Sequence, residues 1–108
     1  MNSSFITLAL REALKSPQHH RIGAVLVKSG NVLAKGYNCH RHAEVSTLSK
    51  CWPSEREGTI LYVARPMYHK KRKVGLAKPC PACYAFITGC GVKRVYYTSE
   101  EGVQVLEI

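Results

Sequence analysis

Two short motifs limit the folds open to this chain, because their side chains can form one site only if the fold brings them close together. The motifs are His42-Ala43-Glu44 and Pro79-Cys80-Pro81-Ala82-Cys83, and each stands after a loop, at the predicted start of a helix. A Cys-x-x-Cys pair at a helix start puts both sulfurs near one point, and the helix N-terminus favours their thiolate form. Two thiolates and the imidazole of His42 make three good zinc ligands if the two helix starts lie side by side.

The carboxylate of Glu44 adds a proton acceptor to this predicted site. Three protein ligands leave the fourth tetrahedral position of zinc to water, which is typical of catalytic and not of structural sites. Zinc lowers the pKa of such a water to roughly 7. Glu44 follows His42 closely enough for both side chains to face one cavity, so it can accept a proton from that water.

The remaining sequence predicts helices and strands in the order α-β-β-α-β-α-β-β. The predicted helices span about 3–15, 43–50 and 80–89, and the predicted strands span 22–28, 31–36, 59–64, 92–98 and 103–108. The segment 29–30 joins the first two strands in a hairpin. The segment 100–102 leaves no room for a crossover helix, so the last strand is expected to run antiparallel to its predecessor. One mixed sheet with helices on its faces follows, in a single domain of residues 1–108.

Three local predictions concern the ends of these elements. Gly89 is expected to take the left-handed conformation that caps the last helix. Trp52 is expected to end the second helix and to pack against the core. The basic tract 69–73, which shows no clear periodicity, is predicted to be a loop.

The charge of the chain favours a phosphate-bearing ligand. The net charge is +9, the sequence contains no Asp, and no acidic residue lies between Glu57 and Glu100. That interval holds Arg65, Lys70, Lys71, Arg72, Lys73, Lys78, Lys93 and Arg94. Such a field attracts the phosphates of a nucleotide or of a polynucleotide. The segment 65–78 is therefore either a phosphate-binding loop at the rim of the site or a solvated basic loop. His40 and Arg41 are also close enough in sequence to reach a substrate phosphate.

The cysteines indicate a reducing environment. Their number is five, which is odd, and the N-terminus lacks a basic segment followed by an apolar core. No apolar run approaches the ~20 residues of a membrane span. We therefore expect a cytoplasmic protein whose cysteines bind metal and do not form disulfides. Cys39, Cys51 and Cys90 are predicted to be buried thiols.

On these motifs the chain resembles the cytidine and deoxycytidylate deaminase superfamily, from Arg21 to about Glu101. The resemblance implies a three-layer α/β/α fold with a mixed five-stranded sheet. The predicted antiparallel pair of strands at the end of the chain resembles that of the family's branch of free-nucleoside deaminases. The resemblance also implies homo-oligomers. The loop between Asn38 and His42 has only three residues, Cys39-His40-Arg41, where the family usually has a longer loop. The pocket is therefore expected to be open or to be completed by another subunit.

The resemblance assigns roles to individual residues. His42, Cys80 and Cys83 match the zinc ligands, and Glu44 matches the proton shuttle. Asn38 matches an asparagine that contacts the nucleoside sugar, and Ala43 lies where backbone amides help to hold the base. The reaction implied is hydrolytic deamination of a cytosine-containing nucleoside or nucleotide, of the cytidine or dCMP type, to the uracil form with release of ammonia.

Several alternatives stay open from the sequence. The same site can belong to a deaminase of single-stranded DNA or RNA, with the basic surface as its groove. From another class, the chain can be a non-catalytic, zinc-stabilised nucleic-acid-binding module, although such a scaffold has no need of Glu44. A Cys-x-x-Cys pair alone also fits a structural knuckle or a redox pair, and Asn38 fits a simple turn residue.

Overall fold

The computed structural model describes residues 3–69 and 72–108. The helices are α1 (Ser3–Ala13), α2 (Ala43–Leu48), α3 (Pro53–Arg56) and α4 (Pro81–Gly89). The strands are β1 (Gly23–Lys28), β2 (Asn31–Tyr37), β3 (Ile60–His69), β4 (Arg72–Gly75), β5 (Arg94–Ser99) and β6 (Gly102–Glu107). None of these helices is long and apolar enough to cross a membrane.

The strands form one mixed sheet in the order β2-β1-β3-β5-β6, with β4 paired to β3. β3 and β5 are parallel, and every other pair is antiparallel, including the predicted final pair of β5 and β6. The predicted fold class is confirmed. The sheet has six strands where five were predicted, because β4 adds a hairpin to the far half of β3.

Alternation along β1 divides the core into two layers, as period-two strand geometry requires. Val25 and Val27 pack with Ile6 and Ala9 of α1, and this cluster lies on one face of the sheet. On the other face, Ala24 and Leu26 share a cluster with buried residues of α2 and α4, Leu48 and Ile87 among them. The helices thus cover both faces of the sheet, which gives three layers.

Two glycines set the distance between helices and sheet. A Cβ built at Gly23 would lie 2.0 Å from the carbonyl oxygen of Ala9 and 2.5 Å from the backbone nitrogen of Ala13. A Cβ at Gly36 would lie 2.5 Å from Oγ1 of Thr47. Because neither glycine has a side chain, α1 and α2 approach the strand backbone closely. Gly36 in this way fixes the position of α2, which begins beside the predicted metal ligand His42.

Three local predictions were wrong. The tract 69–73 is not simply a loop, because β3 runs to His69 and β4 begins at Arg72; Lys70 and Lys71 lie outside the described residues. A lysine-rich sequence is compatible with a strand at the edge of a sheet, where it discourages pairing with other chains. Trp52 does not pack in the core, since 76% of it is exposed at the start of α3. The left-handed residue after α4 is Gly91, with φ of 83°, and not Gly89.

Candidate metal centre

His42 and Cys80 occupy equivalent positions at the starts of two helices. Each is the N-cap residue of its helix and has an extended backbone, with φ and ψ of −64° and 150° for His42 and −71° and 165° for Cys80. The carbonyl of His42 accepts the backbone N–H of Ser46 at 3.0 Å, and the carbonyl of Cys80 accepts that of Tyr84 at 2.8 Å. Pro81 begins α4, where the fixed φ of proline suits the first helical position.

The sheet places these two helix starts side by side. Nδ1 of His42 lies 3.0 Å from Sγ of Cys83 and 3.8 Å from Sγ of Cys80. All three ligand atoms lie within 4.8 Å of one another. Two ligands on a tetrahedral zinc ion, at ordinary Zn–N and Zn–S lengths, are about 3.6 Å apart. The observed separations of 3.0 and 3.8 Å lie on either side of that value, so the predicted ligands fit a zinc ion.

Burial differs across the site in a way that leaves one side open. Cys83 is buried with 3% exposure, Cys80 is half-buried and His42 is exposed. A ligand set that is closed on the core side and open to solvent leaves a coordination position accessible to water or substrate. That arrangement is typical of a catalytic and not a structural zinc site.

The pKa values of the two thiols are shifted in opposite directions. The backbone N–H of Cys83, helped by that of Ala82, stabilises the thiolate of Cys80 and lowers its pKa. Burial, and to a smaller extent the nearby carboxylate of Glu44, raises the pKa of Cys83 to about 12. A metal ion reverses this second effect, because a coordinated thiol loses its proton.

Glu44 lies beside the ligands on the first turn of α2. Its side chain is buried, with 4% exposure, and burial raises its pKa, against the opposing influence of its own backbone N–H and of His42. Burial disfavours the charged carboxylate, so the group is held closer to protonation than a surface glutamate. A carboxyl group with this property, next to a metal site, is suited to accept and return a proton.

Asn38 lies where β2 ends and is held by the loop that precedes β1. Its Oδ1 accepts the backbone N–H of Ile22 at 2.8 Å, and its Nδ2 donates to the carbonyl of His20 at 2.6 Å. An amide side chain has two N–H groups and two lone pairs. One N–H and one lone pair of Asn38 therefore stay available to another partner. Ala43, the first residue of α2, is fully buried.

A shallow cavity next to His42 joins several of these residues. It is lined by Gln18, Asn38, Cys39, His40, Arg41 and His42. The short loop 39–41 is half-buried to exposed and includes His40 at φ of 68°, so Cys39 is not the buried thiol that was predicted, and Cys90 is also only half-buried. Cys51 is buried, as predicted.

The loop 18–21 borders this site, a position that the sequence motifs did not predict. Gly23 pairs with Tyr37, so the residues before β1 lie next to those after β2, among them Asn38 and the loop that leads to His42. The predicted hairpin already contained this signal, because its register sets the segment before the first strand against the segment after the second.

Comparisons with known proteins agree with the geometry. A family model described as the cytidine and deoxycytidylate deaminase zinc-binding region matches residues 1–99. The dCMP deaminase of the cyanophage S-TIM5, in apo form, is similar over 90% of this chain and 81% of its own, with 26% identity and a TM-score of 0.69. The same phage enzyme in complex with dCMP and dUMP gives 23% identity and a TM-score of 0.63, over 88% of this chain and 78% of that chain.

A second similar structure comes from a longer enzyme. The diaminohydroxyphosphoribosylaminopyrimidine deaminase/5-amino-6-(5-phosphoribosylamino)uracil reductase of Thermotoga maritima shares 24% identity and a TM-score of 0.63. The alignment covers 89% of this chain and 28% of that one, and it shows a common fold. No curated protein sequence matches the chain.

Proposed function

The chain belongs to the cytidine and deoxycytidylate deaminase family, and on that premise we propose that it hydrolyses the exocyclic amine of a cytosine-containing nucleoside or nucleotide. The family and the fold support zinc-dependent deamination in general. The proposal adds the base: the products are the uracil form and ammonia. The observation that carries it is the meeting of His42, Cys80 and Cys83 within 4.8 Å, beside the buried Glu44.

In this proposal His42, Cys80 and Cys83 hold zinc, and Glu44 moves the protons. Zinc, when bound, supplies a coordinated water of lowered pKa. Glu44 takes a proton from the attacking water and delivers it to the ring nitrogen next to the reacting carbon. It then takes the second proton of that water and passes it to the amine, which leaves as ammonia. The carbon–nitrogen bond breaks, a carbonyl forms at the same carbon, and Glu44 returns to its starting state.

Burial of Glu44 supports this role. A carboxyl group whose pKa is raised by burial can hold a proton between its uptake and its delivery, which a fully solvated glutamate does less well. Its position also supports the role, because Glu44 follows His42 by two residues in the first turn of α2 and its carboxylate raises the pKa of Cys83. The alternative role, a simple helix N-terminal charge, gives no reason for 4% exposure.

Asn38 and Ala43 are proposed to bind the substrate. Asn38 keeps one N–H and one lone pair after its bonds to His20 and Ile22, and these are available to a sugar hydroxyl. Ala43 stands in the first turn of α2, where backbone N–H groups have no partner within the helix and can donate to the base.

A substrate panel tests the proposal. Ammonia release is measured with zinc-loaded protein on cytidine, deoxycytidine, their monophosphates, adenosine, and a cytosine-bearing single strand. Turnover of a cytosine monomer is the expected result. Turnover of adenosine alone, or of the strand alone, would replace the proposed substrate class by another.

A further inference from the structure

A second, cationic cavity lies at the same end of the sheet as the metal centre. Its volume is about 250 Å³, and it is lined by His19, His20, Arg21, Arg65, Pro66 and Met67. No carboxylate occurs among these lining residues, all of which the structure describes. We name it the cationic cavity; the function proposed above makes no use of it.

Its centre is a hydrogen-bonded pair, His20 and Arg65. Nη2 of Arg65 lies 2.6 Å from Nδ1 of His20, and the pair is exposed to solvent. Because a guanidinium has five N–H donors and no acceptor, His20 accepts through Nδ1 and carries its proton on Nε2. The other N–H groups of Arg65 and the Nε2–H of His20 are not used in this contact and can donate to a ligand. Several donors on a fixed positive charge are what an anionic oxygen group binds.

Strand register sets this pair next to the site. Gly23 pairs with Tyr37 on one side and with Ala64 on the other. Arg65 follows Ala64, and Asn38 follows Tyr37, so the two residues flank the start of β1. Two strand spacings separate their backbones, roughly 10 Å.

Asn38 connects the two cavities directly. Its Nδ2 donates to the backbone carbonyl of His20, while its own side chain lines the cavity beside His42. The loop 18–21 lies between the cavities, since Gln18 lines the one near the metal and His19–Arg21 line the cationic one. A ligand that reached from the metal past Asn38 would therefore end at His20 and Arg65.

Arg65 also lies on the correct face of the sheet. Leu61 and Val63 belong to the core cluster beneath α2 and α4, and strand alternation puts Arg65 on that same face. Its backbone N–H is fixed by Oγ1 of Thr98 at 3.1 Å. Gly75 is the strand partner of Arg65, and a Cβ built there would lie at contact distance, 3.4 Å, from Cδ of Arg65.

We propose that His20 and Arg65 bind the terminal phosphate of a mononucleotide substrate, and so select the nucleotide over the nucleoside. This inference rests on the proposed function for the position of the base and sugar. It differs from the sequence-based expectation, which gave the phosphate to the segment 65–78 as a whole or to His40 and Arg41. A monoester is favoured over a polynucleotide backbone because the donors converge in one small cavity and do not extend along a groove.

Matched glutamine variants test the selection. Arg65→Gln removes the charge from the cavity, and Arg11→Gln makes the same change on exposed α1, away from both cavities. His20→Ala is the second variant, because it removes the ring and keeps the backbone carbonyl that Asn38 uses. For zinc-loaded protein, we expect Arg65→Gln and His20→Ala to lower kcat/KM for dCMP about 10- to 100-fold. The kcat/KM for deoxycytidine should change less than about twofold in these variants. Arg11→Gln should leave kcat/KM unchanged for both substrates.

Three results would contradict the proposed phosphate site. Equal loss on dCMP and deoxycytidine would assign Arg65 a structural role, and no loss on dCMP would remove the phosphate from this cavity. Turnover of a cytosine-bearing oligonucleotide, with none of dCMP, would also overturn the inference.

A binding measurement separates this inference from the proposed function. Calorimetry compares dUMP with deoxyuridine on the zinc-loaded protein and its variants. If no cytosine compound is turned over, the proposed function fails. The phosphate site then stands only if dUMP binds more tightly than deoxyuridine and Arg65→Gln, unlike Arg11→Gln, abolishes the difference. Equal affinity for the two compounds would overturn it.

Discussion

Nδ1 of His42 lies 3.0 Å from Sγ of Cys83, although 41 positions separate the two residues in sequence. The contact exists because α2 and α4 begin side by side on one face of the sheet. His42 caps the first helix, and Cys83 stands in the first turn of the second. The candidate metal centre is thus a product of the fold, and it depends on the packing of both helices.

Loss of Cys83 should remove the metal. Cys83→Ser takes away the buried thiolate, and we expect zinc affinity to fall roughly a hundredfold or more. Cys90→Ser is the matched control, since Cys90 caps the other end of α4 and is not among the ligands. Zinc content after dialysis against a weak chelator measures the effect. A fully loaded Cys83→Ser protein would show that Cys83 is not a ligand.

Zinc binding should release protons and strengthen as pH rises. Burial raises the pKa of Cys83 to about 12, so this thiol is protonated at pH 7 to 8 in the zinc-free protein and must lose its proton to bind zinc. Each proton released raises the apparent affinity about tenfold per pH unit. Calorimetry in buffers of different ionisation enthalpy counts the protons. A heat of binding that is independent of the buffer would contradict the assignment.

The approach of α2 to β2 should depend on Gly36. A Cβ at this position meets Oγ1 of Thr47 at 2.5 Å, so Gly36→Ala is expected to lower the free energy of unfolding by about 1–3 kcal/mol. Gly89→Ala is the control with the opposite sign. Gly89 lies in α4 with no atom within 4 Å of a Cβ, and alanine there should stabilise by about 0.5–1 kcal/mol. Urea unfolding measures both, and a neutral Gly36→Ala would show that α2 can move away without cost.

The sequence predicted the grouping of His42, Cys80 and Cys83 because its signal is local. His42 and Cys80 each follow a loop and precede a helix, and the spacing of Cys80 and Cys83 fixes one helical turn. The strand order determines which helix starts are neighbours, and the sequence alone left that as a condition. A run rich in Val, Ile and Leu similarly predicted β1, in which Gly23 to Val27 are buried, and the turn at 29–30 predicted its hairpin with β2.

Sequence-based predictions failed where helix capping, backbone hydrogen bonds or strand register, and not hydrophobicity, determine the structure. Trp52 was expected in the core because it is large and apolar. Pro53, however, starts a new helix, and the Glu55 carboxylate accepts the backbone N–H of Trp52 at 3.0 Å, so Trp52 becomes an exposed cap. β4 was missed because its sequence is charged, and its pairing to β3 relies on backbone hydrogen bonds. The cationic cavity was missed because His20 and Arg65 meet only through strand register.

Glu44 is proposed to carry protons at a zinc centre formed by His42, Cys80 and Cys83. The most direct test is ammonia release from dCMP and deoxycytidine by zinc-loaded wild type and Glu44→Gln, with zinc content measured on the same samples. We expect Glu44→Gln to keep its zinc and its fold and to lose turnover by about 10²- to 10⁴-fold. Turnover equal to wild type in a zinc-loaded Glu44→Gln protein would contradict it.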